Sequence, residues 1–302
     1  MTDIERETQE FRPLNTFGAS FFAAQIPQVE VHVGAASHIG KVRSNNEDHF
    51  AVISRKRSQT LLMTNVPEQN FGAIEDEAYI LVVADGMGGA QAGEWASRLA
   101  LQAAWDLAGR ASSWIMRFRD LEAQQAQARV DAYVQEIHQT LVDYGQADPE
   151  LTGMGTTWTS AYIVGWDAVI MHIGDSRAYL HRRGSIQQIT KDHTLAQALI
   201  DSGIPPEDTT RVRHVLTNSL GGRAEQLVSP DVRHVPLEDG DRLLLCTDGL
   251  SDLVSDSEIA DEIVRAGHPQ AACDALIELA LARGGKDNVT VVLAQTTRLT
   301  SP

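Results

Sequence analysis

Tyr79-Ile80-Leu81-Val82-Val83-Ala84-Asp85-Gly86-Met87-Gly88-Gly89-Ala90 is an apolar run that stops at a carboxylate set among glycines. A continuous apolar run with β-branched and aromatic members suits a strand covered on both faces. The glycines that follow permit a tight backbone and close ligand approach. The pattern therefore places Asp85 at the carboxyl end of a buried strand. A lone strand-Asp-Gly is ordinarily a strand and a turn, so recurrence decides the reading. Leu243-Leu244-Leu245-Cys246-Thr247-Asp248-Gly249-Leu250 repeats the apolar run, the acid and the glycine, and Asp287 stands just before the strand-like Val289-Thr290-Val291-Val292. With Glu47-Asp48 upstream, these acids form an oxygen-only donor set. Crowded carboxylates repel one another unless cations neutralise them, and hard divalent ions are the natural occupants.

The chain has 302 residues, 43% of them hydrophobic, with no break in composition and a net charge of -16. That length allows a substantial core in one large domain or two small ones. The acidity disfavours nucleic acid and anionic membrane as partners. Cys246 and Cys273 are the only cysteines and lack metal-ligand spacing, which points to a reducing compartment. The start lacks a basic leader, and Phe17 to Ile26 is too short to span a bilayer, so the expectation is a cytoplasmic protein.

Residues 1–28 have no convincing period and are expected to form an arm outside the fold. They are either disordered or docked through Phe17, Phe21 and Phe22, and composition does not choose. Val29 to Val33 alternates as a half-buried strand does. Residues 55–77 are polar and contain Pro67, which predicts an irregular insertion between strands. Ala92, Trp95, Ala96, Leu99, Ala103 and Leu107 recur at helical spacing, and a second helix is expected from about Ser113 to Tyr144. Beyond Met154 the pattern predicts strands over 158–165, 168–173, 178–181, 185–189, 228–235, 242–247 and 289–294. Helices are expected over 195–201, 256–265 and 269–283. The irregular span after Asp201 is a candidate lid.

In order, the chain carries Arg43…Glu47-Asp48, Asp85-Gly86-Met87-Gly88-Gly89, Met154-Gly155-Thr156-Thr157, Gly174-Asp175-Ser176-Arg177, Thr247-Asp248-Gly249-Leu250 and Asp287-Asn288-Val289-Thr290. Each motif is weak alone; six in this order resemble the metal-dependent Ser/Thr protein phosphatases (the PPM family, type 2C-like) in their bacterial style. The resemblance covers residues 29–302. It implies an α+β fold, a four-layer αββα sandwich of two antiparallel sheets flanked by helices, with a variable flap at about 194–213. It implies Asp85 as the acid bridging two Mn²⁺ or Mg²⁺ ions, Gly86 binding one through its carbonyl, and Glu47, Asp248 and Asp287 serving the second. Asp48 would orient water, and Arg43 would bind phosphate. Asp175 and Asp252 match positions that hold a third ion in some members.

The implied reaction is hydrolysis of phosphoserine and phosphothreonine by a two-metal-activated water without a covalent intermediate. The substrates would be phosphorylated proteins, opposing a Ser/Thr kinase, and the enzyme would act as a monomer. One departure concerns Met87, which stands where some members carry a histidine that serves as general acid. A pseudophosphatase that keeps the fold as a partner-binding module is the alternative, and the complete acid set argues against it. A phosphatase of small phosphomonoesters is a further alternative.

Overall fold

The computed structural model describes residues 29–59, 62–63, 74–88, 91–110, 123–222 and 227–299. The arm over 1–28 and the Gly89-Ala90 end of the first motif lie outside them. Twelve strands are found among the described residues: β1 (Val29–His38), β2 (Asp48–Gln59), β3 (Ile74–Met87), β4 (Gly155–Thr156), β5 (Trp158–Val164), β6 (Asp167–Ile173), β7 (Arg177–Arg182), β8 (Ser185–Gln188), β9 (Leu220–Gly221), β10 (Asp231–Pro236), β11 (Arg242–Cys246) and β12 (Val289–Arg298). The helices are α1 (Ala92–Arg110), α2 (Ala123–Ala147), α3 (Leu195–Asp201), α4 (Asp248–Ser251), α5 (Asp256–Ala266) and α6 (Pro269–Ala282). One sheet has the order β1-β12-β11-β7-β8; the other runs β10-β6-β5-β3-β4-β9, with β2 also on β3. The pairings are antiparallel.

The strand alternation sorts the core into three layers. Leu81 and Val83 of β3, Leu243 and Leu245 of β11, and Val292 and Ala294 of β12 meet between the sheets. Val82 and Ala84 turn the other way and pack under α1 and α2. Leu244, Cys246, Val291 and Leu293 pack under α5 and α6. The result is the expected four-layer α+β sandwich. Both cysteines are free and buried.

The same parity aims the site. Asp85 follows Leu81 and Val83 by even steps, and Asp48 is its partner across the β2–β3 ladder. Thr247 follows Leu243 and Leu245, and Thr290 precedes Val292. All four therefore face the gap between the sheets at one end of the sandwich, beyond the last apolar layer.

One expectation needed correction. The irregular insertion over 55–77 is in part a long two-stranded ladder: β2 runs on to Gln59 and β3 begins at Ile74. Where its side chains are described the cross-strand contacts are polar, with Lys56 Nζ 3.3 Å from Glu77 and Ser54 donating to Glu77 at 2.7 Å. The second helix is described over Ala123–Ala147, and the expected start near Ser113 lies outside the described residues.

Candidate active site

The backbone of Asp85 is held by the Thr156-Thr157 pair. Thr156 Oγ1 donates to the Asp85 carbonyl at 2.8 Å, and the Thr157 amide donates to the same oxygen at 2.9 Å. The Asp85 amide donates to Thr157 Oγ1 at 2.9 Å, and that hydroxyl lies 2.8 Å from Ser176 Oγ. With its main chain satisfied locally, the Asp85 carboxylate faces the cleft. Asp48 beside it is 4% exposed. Its Oδ2 accepts from Thr247 Oγ1 at 2.8 Å, while Oδ1 is buried with no hydrogen-bond partner. Asp248 opens α4 immediately after Thr247. Asp287 accepts from the Asn288 amide at 2.9 Å and from Arg43 Nη2 at 2.6 Å.

Burial pushes the Asp85 carboxyl well above the carboxylate range, and the charges of Asp48, Asp248, Asp175 and Asp287 push it further. Asp248 is raised well above that range in the same way, by burial and then by Asp175, Asp252, Asp287 and Asp48. Burial lifts Asp48 to about 7 against the opposing hydrogen bonds of Thr247 and Thr290, and lifts Asp175 to about 6. Glu47 is raised by burial and drawn back by Arg43. Acids from five separate parts of the chain thus feel one another's charge. An oxygen-only donor set under mutual repulsion, with an orphaned buried carboxylate oxygen, fits divalent cations.

Several contributors were given no role by the motif reading. Asn288 clasps the loop that carries Glu47: its Oδ1 accepts from the Glu47 amide at 2.8 Å, and its Nδ2 donates to the carbonyls of Ile39 at 2.9 Å and Asn45 at 2.8 Å. Ser97 of α1 donates to the Glu47 carbonyl at 2.6 Å. Gly93, in the first turn of α1, lacks a side chain where Glu47 needs room. A Cβ there would stand 2.6 Å from Glu47 Oε2 and 2.8 Å from the Gly86 carbonyl oxygen. Those two oxygens, both expected to serve metal, therefore approach one point. The signal for Gly93 was a glycine inside a helical pattern; for Asn288, only its place beside Asp287.

Arg43, expected on phosphate, is paired with Asp287 and remains half exposed. Met87 lies against Gly155, its partner across the β3–β4 ladder. The three histidines nearest the motifs in sequence all have hydrogen-bond partners: His38 Nδ1 accepts from the Gly40 amide, His49 pairs with Ser97, and His193 lies between the Gly174 amide and Asn218. The segment expected as the flap is joined at its base by two backbone hydrogen bonds. The Leu195 amide donates to Val215 at 2.8 Å and the Thr217 amide to His193 at 2.9 Å. Its far arm lies over α4, where Arg213 Nη2 is 3.1 Å from Asp252 Oδ2.

An acid-lined mouth between two antiparallel sheets is the architecture of a hydrolase that works through divalent cations. Residues 65–279 match the family model described as Protein phosphatase 2C, and the chain belongs to that family. A Serine/threonine phosphatase stp of Listeria welshimeri is 31% identical over 268 residues, 88% of this chain and 96% of that protein. The Serine/threonine protein phosphatase PstP of Mycobacterium tuberculosis is 37% identical over 263 residues, 86% of this chain but 44% of that longer protein. Among solved structures, the PstP catalytic domain in complex with two manganese ions superposes with a TM-score of 0.69 at 36% identity, covering 89% of this chain and all of that one. Stp1 from Staphylococcus aureus gives 0.72 at 32% identity, covering 90% and 97%.

Proposed function

We propose that the chain is a metal-dependent protein serine/threonine phosphatase, with two Mn²⁺ or Mg²⁺ ions held by Glu47, Asp85, the Gly86 carbonyl, Asp248 and Asp287. The observation that carries the reading is the convergence of Asp48, Asp85, Asp248 and Asp287, each from a different segment, at the mouth between the sheets. When bound, such ions supply a water made nucleophilic at neutral pH and charge to offset that of phosphate. The chain's own groups do the positioning. Asp48 is fixed through Oδ2 by Thr247, which leaves Oδ1 to accept a hydrogen bond from a water and orient it. Arg43 is close enough to change partners, leaving Asp287 to grip two phosphate oxygens. Its charge then offsets charge on the transferring phosphoryl group.

The relatives' names support serine/threonine-phosphorylated substrates. Phosphoproteins made by a Ser/Thr kinase are the matching supply, and a monomeric cytoplasmic enzyme is in keeping with this reading. No helix among the described residues is long and apolar enough to cross a membrane. The chemistry resides in 29–302, since each motif lies there, and residues 1–28 are dispensable for it.

Hydrolysis of a phosphothreonine peptide tests the proposal, with and without Mn²⁺, by wild type and Asp85→Asn. The expected result is Mn²⁺-dependent turnover in wild type and little in the variant. Undiminished hydrolysis in excess chelator, or a fully active Asp85→Asn, refutes it.

A further inference from the structure

Val29, where β1 begins, and Arg298, where β12 ends, are register partners. They stand at the opposite end of that ladder from His38 and Val289, roughly 30 Å along the strand from the acids. A cavity of about 440 Å³ opens beside them, lined by Trp166, Arg183, Leu237, Glu238, Asp239 and Arg298. That volume is within the range of about 300–1,000 Å³ usual for ligand pockets. The half-buried Trp166 and the buried Leu237 make its apolar wall. Its polar wall is braced: Arg183 Nη2 donates to Glu238 Oε2 at 2.6 Å, and Arg182 Nη1 lies 3.2 Å from Glu238 Oε1. Arg183 keeps this place at φ 52°, the only positive φ of a non-glycine among the described residues, a conformation arginine seldom adopts. Arg298 donates its amide to Asp239 at 2.8 Å, while its guanidinium is in no ion pair among the described residues.

We propose that this cavity seats the chain's own N-terminal arm, with the Phe21-Phe22 pair laid against Trp166 and beneath Arg298. The point of attachment selects this occupant. Val29 and Trp166 pack on the same inter-sheet core, so whatever precedes Val29 begins beside the cavity. Phe22 stands seven positions before Val29, and seven residues reach at most about 25 Å. Composition fits as well. Residues 13–28 carry no charged side chain and hold Phe17, Phe21, Phe22 and Ile26. A phenylalanine ring offers Trp166 an apolar body and offers the unpaired Arg298 guanidinium a π face. A tether this short holds the arm at a local concentration in the millimolar range, so it outcompetes a second copy of the chain at micromolar concentration. The seat fixes the arm at the end of the sandwich away from the acids, which agrees with an arm that takes no part in the chemistry. The inference does not depend on the phosphatase reading.

The test uses the full chain, read by hydrogen exchange of the arm and by ¹⁹F resonance after labelling with 5-fluorotryptophan, with Trp166→Phe assigning the Trp166 signal. Wild type is expected to show amides over 21–28 slowed at least about tenfold, as a docked population of about nine in ten gives. Phe21→Ser/Phe22→Ser should lose that protection and shift the Trp166 resonance, while those of Trp95, Trp105 and Trp158 stay in place. Arg298→Ala, at an exposed position, should weaken the protection about two- to fivefold through loss of one cation–π contact. Phosphopeptide hydrolysis should be unchanged in both variants. Arm amides that exchange unprotected in wild type, or a Trp166 signal indifferent to Phe21→Ser/Phe22→Ser, overturn the proposal. So does a Trp166 shift that appears only as protein concentration rises, which assigns the cavity to a second copy. A chain that protects the arm yet hydrolyses no phosphopeptide keeps this seat and removes only the phosphatase reading.

Discussion

Thr247 at the end of β11 donates its hydroxyl to Asp48 at the start of β2, 2.8 Å away and 199 positions earlier in sequence. The bond ties one sheet to the other at the mouth of the site. Thr247 Oγ1 also accepts from the Thr290 amide at 3.0 Å, so one hydroxyl orders two strands and one acid. Thr247→Val keeps the shape but strips the donor from a buried carboxylate, at a cost of about 1–3 kcal/mol. We expect a lowered denaturation midpoint and reduced turnover, with Thr247→Ser close to wild type. Equal stability of the valine and serine variants would show that the bond contributes nothing.

Asn288 is 5% exposed and makes three hydrogen bonds to the loop over 39–47. Asn288→Ala leaves the Glu47 amide and two carbonyls without their partner, for a loss of about 3 kcal/mol. Because Glu47 is released as well, Mn²⁺ affinity should fall with stability. Calorimetry that shows unchanged affinity separates the loop from the metal site.

Gly93→Ala tests the approach of Glu47 to the Gly86 carbonyl. The added methyl meets the flexible end of Glu47 but also the backbone oxygen of Gly86. Glu47 should be displaced, with Mn²⁺ affinity reduced at least about tenfold, or 1.4 kcal/mol, and the helical content by circular dichroism retained. Wild-type affinity would mean that Glu47 serves no ion.

For Arg43→Ala the substrate is expected to suffer more than the metal. Loss of a charge-assisted grip on phosphate costs on the order of 2 kcal/mol, roughly thirtyfold in kcat/KM and mainly through KM. Mn²⁺ binding should hold or tighten slightly, because Asp287 loses a competing partner. A collapse of metal affinity would give Arg43 a structural role instead.

His172 supplies a pH dependence outside the acid cluster. It is buried, lies 2.9 Å from Thr159 Oγ1 and 3.1 Å from the Lys191 carbonyl, and has its ring 4.7 Å from that of His193. Burial, then the charge of His193, lowers its pKa to about 3 from the usual 6.5. Between those values the unfolded chain binds the extra proton, so stability is full above 6.5 and drains away as pH falls toward 3. The contribution to the slope is at most about 1.4 kcal/mol per pH unit. His172→Gln should remove that contribution in denaturation curves taken between pH 6.5 and 4.5. An unchanged slope would show that this ring is not the titrating group.

The sequence alone determined the order of the motifs, and with it the family and the sandwich. It could do so because strand-end carboxylates and their glycines leave local marks. An apolar run ending at Asp85 or Asp248 is legible without a partner strand. The run from Leu81 to Ala84 is apolar throughout, however, so it did not say which residues face the other sheet. Pairing to β2 and β5 decided that, and so decided where Asp85 points. The polar extension of β2 to Gln59 was equally hidden, because its described cross-strand contacts are polar, the Lys56–Glu77 ion pair and the Ser54–Glu77 hydrogen bond, and leave no apolar alternation to read. Tertiary structure alone placed Thr247 on Asp48, Asn288 on the Glu47 loop, Gly93 beneath the Glu47 carboxylate and Arg213 beside Asp252. Each of these contacts joins segments far apart along the chain, where no spacing rule operates and only the packing of the sheets, helices and flap sets the distance.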